Sequence, residues 1–269
     1  PWHGDGGPVP VRRYGPAERT DVARAALEAL AGHGVPLLED HNAPGAVGGG
    51  PLPVNCVDGV RMSTALAYLP PPAARPNLEV RPGAEAGEVI LAGGRARGVR
   101  LAGGEKVAAG RVVIACGAYG SPVLLMRSGI GPAGALRRLG VPVVADLPGV
   151  GANLADHPLV PVEMPYRGEP SPAPLFQVGA THRSTLAGRG GAPDVQILIF
   201  GPYPGPPPWF SVAVALLTPR SRGSVALARA GTGPPRIDPA LLREGADLDR
   251  LAEGLDLAEA LAGHPAMRA

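Results

Sequence analysis

The chain has 269 residues, of which 45% are hydrophobic and 18% charged, and it carries a formal net charge of +2. That length suits one large domain or two modest ones. Glycine (40) and proline (34) make up about 28% of it, but a disordered chain needs low hydrophobicity and high net charge, so these residues are read as punctuation of a folded, loop-rich protein.

Glycine does not recur at every third position, which excludes collagen. Basic residues number 25 against 23 acidic, Lys106 is the only lysine, and no basic stripe stands out, so nucleic acid is excluded as the main partner. Cys56 and Cys116 lie far apart with no CxxC spacing, which argues against a disulfide framework or a zinc site. Two buried free thiols are expected. The uncharged stretch 195–219 is long enough to span a membrane, but five prolines interrupt it, and two strands joined by a Pro-rich loop fit better. The chain opens on Pro1 with no targeting pattern, and a cytoplasmic location is expected.

Taken in chain order, residues 1–18 read as loop. Thr20 is placed to cap a helix through Leu30, with Val22, Ala26 and Leu30 on one face and Gly32 as its stop. Residues 34–59 are rich in glycine and proline, and 61–69 read as a short helix ended by Pro70, Pro71 and Pro72. The pattern over 89–101 predicts a hairpin turning at Gly93-Gly94. Residues 111–116, a continuous apolar run after Arg111, predict a buried strand. It leads into Gly117 and then a helix for which Ser121 is the expected N-cap and Pro122 the first residue.

Such a strand, glycine turn and helix is the unit that α/β folds use to hold nucleotides. Further on, 195–200, 210–217 and 224–227 read as strands of an antiparallel sheet. A last helix over 246–262 is expected to present Leu248, Leu251 and Leu255 on its buried face.

The spacing Gly129-Ile-Gly131-Pro-Ala-Gly134 satisfies GxGxxG but follows a helix and contains Pro132, so it is read as a helix-ending turn rather than a phosphate loop. A serine hydrolase would need GxSxG after a strand, and the sequence has none. Asp156 and His157 invite an acid–base reading. Adjacent residues of an extended segment point to opposite sides, and a structural role is expected. His33, His41, His182 and His264 stand singly, without ligand spacing, and are expected at solvent or loop positions.

GAYGSPVLLMRSGIGP (residues 117–132) resembles the second signature of the glucose–methanol–choline family of FAD-dependent alcohol oxidoreductases. Other segments follow that family's order: HGDGGPVPV (3–11), DGVRMSTALAYL (58–69), RPNLEV (75–80), LPGVGANLADHP (147–158), SRGSVAL (221–227) and PRIDP (235–239). The resemblance implies a mixed fold, α/β and α+β, combining part of a Rossmann-like FAD-binding domain with part of an antiparallel-sheet substrate domain. Residues 1–75 would be the tail of the first substrate-domain segment, 76–155 the middle of the FAD domain, and 156–269 an incomplete second substrate-domain segment.

It also implies FAD as cofactor, with Cys116, Gly117 and Ala118 against the flavin or its ribityl-diphosphate, and Ala86 holding adenine through the main chain where the family usually has valine. Arg61 and Ser63 resemble family residues with structural hydrogen bonds near the domain junction. Family members begin with a strand and phosphate loop before the position of His3, and end with a His–His or His–Asn pair that would fall after Ala269. No catalytic residue is therefore assigned within the chain, which alone is expected to be inactive. The segment between His157 and Ser221 is short for the family, implying a trimmed substrate lid. The implied substrate is a small-molecule alcohol, and the implied electron acceptor stays open. The alternative is a non-catalytic remnant or interaction module of the same fold.

Overall fold

The computed structural model describes all residues except 1, 2, 5, 70–74, 170–174, 189, 232 and 269; the predicted Pro70–Pro72 stop lies outside the described residues. In chain order the elements are α1 (Asp21–Gly32), β1 (Gly48–Pro51), β2 (Cys56–Val57), β3 (Val60–Arg61), α2 (Thr64–Tyr68), β4 (Ala86–Ala92), β5 (Arg95–Leu101) and β6 (Lys106–Ala108). There follow α3 (Gly117–Arg127), β7 (Ile130–Gly131), α4 (Ala133–Arg138), β8 (Ala145–Asp146), β9 (Leu159–Pro165) and β10 (Phe176–His182). The chain closes with β11 (Val195–Tyr203), β12 (Trp209–Leu216), β13 (Ser224–Leu227), β14 (Pro235–Asp238), α5 (Gly245–Ala262) and α6 (Pro265–Arg268).

These elements form two compact units. The first comprises Pro1–Asn77, His157–Arg220 and Glu244–Ala269; the second comprises Leu78–Asp156 and Ser221–Arg243. The continuous last segment expected from the sequence is therefore interrupted: 221–243 joins the second unit. The cause is local pairing, since the Val225 amide donates to the Gly151 carbonyl at 2.7 Å, and Leu154 and Gly223 exchange bonds of 3.0 and 2.7 Å.

The first unit is built on an antiparallel sheet of order β1-β10-β11-β12-β9. Its mixed α and antiparallel β character is that implied by the resemblance. One face is a row-by-row apolar layer in which Val195 pairs with Leu216, Ile197 with Val214 and Ile199 with Val212, all fully or almost fully buried. Each such side chain contributes roughly 1.5–3 kcal/mol on burial. α1 and α5 close this face. A Cβ on Gly49 would meet Leu30 of α1 at 2.7 Å, and one on Gly254 of α5 would meet Val214 and Val195 at 2.6 and 2.8 Å. α1 begins as expected, with the Thr20 hydroxyl accepting from the Ala23 amide. α2 is shorter than expected because the β2–β3 hairpin takes Arg61, and the Ser63 hydroxyl caps it by accepting from Leu66.

α5 departs from its expected face. Leu248 is 54% exposed, while the buried stripe runs through Asp247, Arg250, Leu251, Gly254, Ala258 and Leu261. Polar residues turn inward because they satisfy one another. Arg250 donates to Asp247 at 2.6 Å, to Asp194 at 3.3 Å and to the Thr218 carbonyl at 3.0 Å. Asp194 also accepts from the Ser184 amide and hydroxyl at 2.9 and 2.7 Å.

Burial alone would raise the Asp194 carboxyl, but the two Ser184 bonds and the Arg250 guanidinium outweigh it and hold the group below the ordinary aspartate range. A depressed folded-state pKa gives stability that is present above the unfolded value, about 3.9, and lost as pH falls through the lower folded value. Acid titration of the first unit is therefore expected to show a stability loss beginning near pH 4, and Asp194→Asn should flatten it when followed by circular dichroism.

In the second unit, β4, β5 and β6 form an antiparallel meander that turns at Gly93 and Gly94, both at positive φ. The predicted strand 111–116 is corrected: these residues pair with no strand, and Val113 is 81% exposed. The apolar run is of the kind that parallel sheets bury on both faces, but no ladder forms on it among the described residues. The GxGxxG turn does follow a helix, with Gly129 at φ 81°. Its missing side chain lets the chain pass the Pro142 carbonyl, which a Cβ would meet at 2.3 Å. Met126, Leu136 and Val141 form the core under α3 and α4.

Candidate cofactor cradle

The N-terminus of α3 carries the residues that the sequence singles out. The helix begins earlier than expected, at Gly117, with Cys116 as its N-cap. Ser121 does not cap it; its hydroxyl instead accepts from the Cys116 amide at 3.1 Å and ties the incoming segment to the first turn. Pro122 lies inside the helix, where it forgoes one intrahelical bond. No side chain caps the start, so the first-turn amides, at the positive end of the helix dipole, present unpaired donors.

Gly117 sits at φ 75°, a conformation that glycine adopts without penalty, and a Cβ there would meet nothing within 4 Å. Ala118 beside it is exposed and lines a groove with Pro122, Gly151, Asn153, Leu154 and Val225. The floor of that groove is rigid. Gly151, at φ 81°, leaves no room for a Cβ, which would sit 2.1 Å from the Val225 carbonyl oxygen.

Asn153 holds a left-handed backbone at φ 58° and is exposed. In the sequence its signal is an Asn two residues after a turn glycine, since Asn tolerates that conformation. None of the residues lining this groove is ionisable.

Ala86 opens β4, pairs with Leu101 and is half-buried. It belongs to the opposite end of α3. Its neighbour Glu85 lies 3.5 Å from Arg127 in the last turn of the helix, and the Val89 amide donates to the Ser128 hydroxyl at 2.8 Å. Ser128 in turn donates to the Leu124 carbonyl at 2.6 Å, locking β4 onto α3. The four predicted site residues thus share one unit but form two groups. The 11 residues of α3 lie between them, a span of about 16 Å at 1.5 Å per residue.

Other predicted residues fall outside the cradle. Cys116 and Cys56 are free, but Cys116 is exposed and Cys56 only half-buried, against the expected two buried thiols. The cause for Cys116 is its position at an open helix start. Asp156 and His157 are exposed, on an extended stretch at the boundary of the units, and both engage in polar contacts. His33 is the C-cap of α1 and meets His264 edge-on at 5.8 Å. His41 reaches the Gly50 carbonyl at 3.1 Å, and His3 pairs with Asp40 at 2.7 Å. His182 is on a strand rather than a loop and contacts Glu253 at 3.2 Å. Burial alone would raise the Glu253 carboxyl, but donors from Thr185 and His182 outweigh it and hold the group low. Arg61 is exposed in its hairpin. No helix among the described residues is long and apolar enough to cross a membrane.

Residues 6–159 match the family model described as GMC oxidoreductase. An uncharacterised GMC-type oxidoreductase of Rhodococcus erythropolis is 35% identical over 273 residues, covering 97% of this chain and 53% of that protein. The 5-(hydroxymethyl)furfural oxidase of Methylovorus sp. is 32% identical over 266 residues, covering 96% of this chain and 50% of its own length. Among solved structures, pyridoxine 4-oxidase from Mesorbium loti superposes with a TM-score of 0.84 at 31% identity, over 99% of this chain and 55% of the other. The chain spans about half the length of these proteins.

Proposed function

Because the chain belongs to the GMC oxidoreductase family, we propose that it forms part of an FAD-dependent enzyme that oxidises the CH–OH group of a small alcohol to a carbonyl. The observation that carries this reading is the family match over residues 6–159, which contains both groups of the cradle. The cofactor is FAD, and bound flavin supplies a two-electron acceptor for hydride from the alcohol carbon.

The residues present fit such a group. The uncapped start of α3 would offer the backbone amides of Gly117 and Ala118 to a diphosphate or ribityl chain, with Cys116 beside them, its own amide held by the Ser121 hydroxyl, and with no side chain at Gly117 to obstruct approach. Ala86 lies one helix length away, a separation that an extended dinucleotide covers, and would meet adenine through its backbone. Alanine there keeps the main-chain contacts and gives up part of the apolar packing of a valine. The contribution of this chain is therefore to bind and orient. No proton-transferring residue is assigned to it, and the groove lining contains none.

The similar proteins include an oxidase of 5-(hydroxymethyl)furfural and a choline dehydrogenase, both named for alcohols, which supports an alcohol as the substrate. Free thiols at Cys56 and Cys116 agree with a reducing compartment, and we place the enzyme in the cytoplasm.

The purified 269-residue chain is expected to bind FAD weakly and not to turn over. Titration monitored by flavin fluorescence, with Gly117→Val reducing affinity at least tenfold, tests the cradle. An absence of any FAD binding would favour a non-catalytic module of the same fold. Bleaching of a dye acceptor by alcohol at ordinary enzyme rates would overturn this expectation.

A further inference from the structure

The helix-covered side of the first unit holds a cavity of about 140 Å³, bounded by α1, the end of β9, the start of β12 and α6. Its floor is apolar: Val22, Phe210 and Met267 are all buried, and Ala25 of α1 forms part of the wall. Phe210 alternates along β12 in step with Val212 and Val214, so it points to the layer under the helices and away from the open face of the sheet. An apolar cavity of about 150 Å³ takes up benzene. The space therefore matches one six-membered ring.

The rim is polar, and its charges are unevenly matched. Asp21 is paired with Arg24, three residues on, and accepts from the Tyr166 hydroxyl at 3.5 Å. Burial first, and then the Asp21 carboxylate, push the Tyr166 phenol up, with a smaller push from Glu169, so the hydroxyl keeps its proton at neutral pH. Arg167 and Arg268 also line the cavity and are exposed, which puts them at its mouth. Among the described residues neither guanidinium has a hydrogen bond or an ion pair. With Asp21 offset by Arg24, these two arginines outnumber Glu169, and the mouth is left net cationic. Arg presents a planar fork of N–H donors that matches the two oxygens of a carboxylate. An aromatic ring bearing a carboxylate uses the floor and the mouth at once.

We propose that this cavity is a binding site for an aromatic carboxylate of about benzoate size, with the ring on Val22, Phe210 and Met267 and the carboxylate held by Arg167 and Arg268. The site shares no residue with the cofactor cradle and does not depend on the flavin reading.

The test uses the 269-residue chain and three probes, followed by saturation-transfer NMR and calorimetry. Benzoate is expected to bind with a dissociation constant of about 1 mM or tighter. Benzylammonium keeps the ring and reverses the charge, and acetate keeps the head and drops the ring; each should bind about tenfold more weakly or worse. Ala25→Met fills the cavity from α1 and should abolish benzoate binding while leaving the thermal midpoint equal or higher. The double variant Arg167→Gln/Arg268→Gln should weaken benzoate about tenfold with the midpoint unchanged, because both side chains are exposed and unpaired. Acetate binding as tightly as benzoate would reduce the site to surface attraction for anions, and benzylammonium binding as tightly would give the rim to Asp21 and Glu169. Either result overturns the proposal, as does an absence of benzoate binding or benzoate binding that survives both variants.

Discussion

Asp247→Ala is expected to destabilise the first unit by about 3–5 kcal/mol, the cost of stranding one member of a buried ion pair. Asp247 is 0% exposed, accepts twice from the Arg220 amide at 2.8 and 3.0 Å, and receives Arg250 at 2.6 Å. Removing its carboxylate leaves the guanidinium of Arg250 buried, with Asp194 at 3.3 Å as its remaining carboxylate, and leaves the Arg220 amide unpaired. Urea denaturation followed by far-UV circular dichroism measures the loss. The double variant Asp247→Ala/Arg250→Ala should recover part of it, because it removes the stranded charge as well. A loss below about 1 kcal/mol in the single variant would show that the pair is a surface-like contact despite its burial.

Gly151→Ala is expected to cost about 3 kcal/mol in the second unit, from left-handed strain and overpacking together. The new Cβ would press on the Val225 carbonyl at 2.1 Å, a backbone atom that cannot step aside without breaking the Val225–Gly151 bond of 2.7 Å. Gly117→Ala is the control. Its φ of 75° carries similar strain, but a Cβ there meets nothing within 4 Å, so its cost should stay near 1 kcal/mol. Hydrogen exchange at the amides of Leu154, Gly223 and Val225 reads the first effect directly. Equal costs for the two substitutions would mean that conformation alone, and not the close approach, sets the requirement for glycine.

What could be read from the sequence followed from how local its cause was. Thr20 with its apolar spacing gave α1, and Gly93-Gly94 gave the meander turn, because caps and turns depend on a few neighbouring residues. The strands β11, β12 and β13 were legible from their apolar runs to within a few residues. The buried face of α5 was misread because hydrophobicity does not reveal that Asp247 and Arg250 neutralise one another, or that Gly254 is buried through its close approach to Val195 and Val214. The run 111–116 has the composition of a buried strand but gains that burial only from a neighbouring ladder, which no local pattern supplies.

At the cradle, Gly117 and Ala118 were visible through a motif, whereas the start of the helix was not. Ser121 and Pro122 look like a cap and first turn, yet the Ser121 hydroxyl is used by the Cys116 amide and the helix starts four residues before Ser121. Asn153 was hidden because its contribution is a backbone angle.

The order in which the strands of the first unit occur along the chain has a consequence for synthesis. β1 pairs with β10, so Gly48 meets Thr181 and Pro51 meets Val178. More than a hundred residues, including the whole β4–β6 meander, must therefore leave the ribosome before β1 finds its partner. At translation rates of roughly 5–20 residues per second that is a delay of many seconds, during which β1 and the apolar stripe of α1 wait uncovered. The meander closes over short loops and can form meanwhile. A nascent-chain arrest series should show protease resistance appearing first in the 86–108 segment, and in the N-terminal stretch only after residue 216 has emerged.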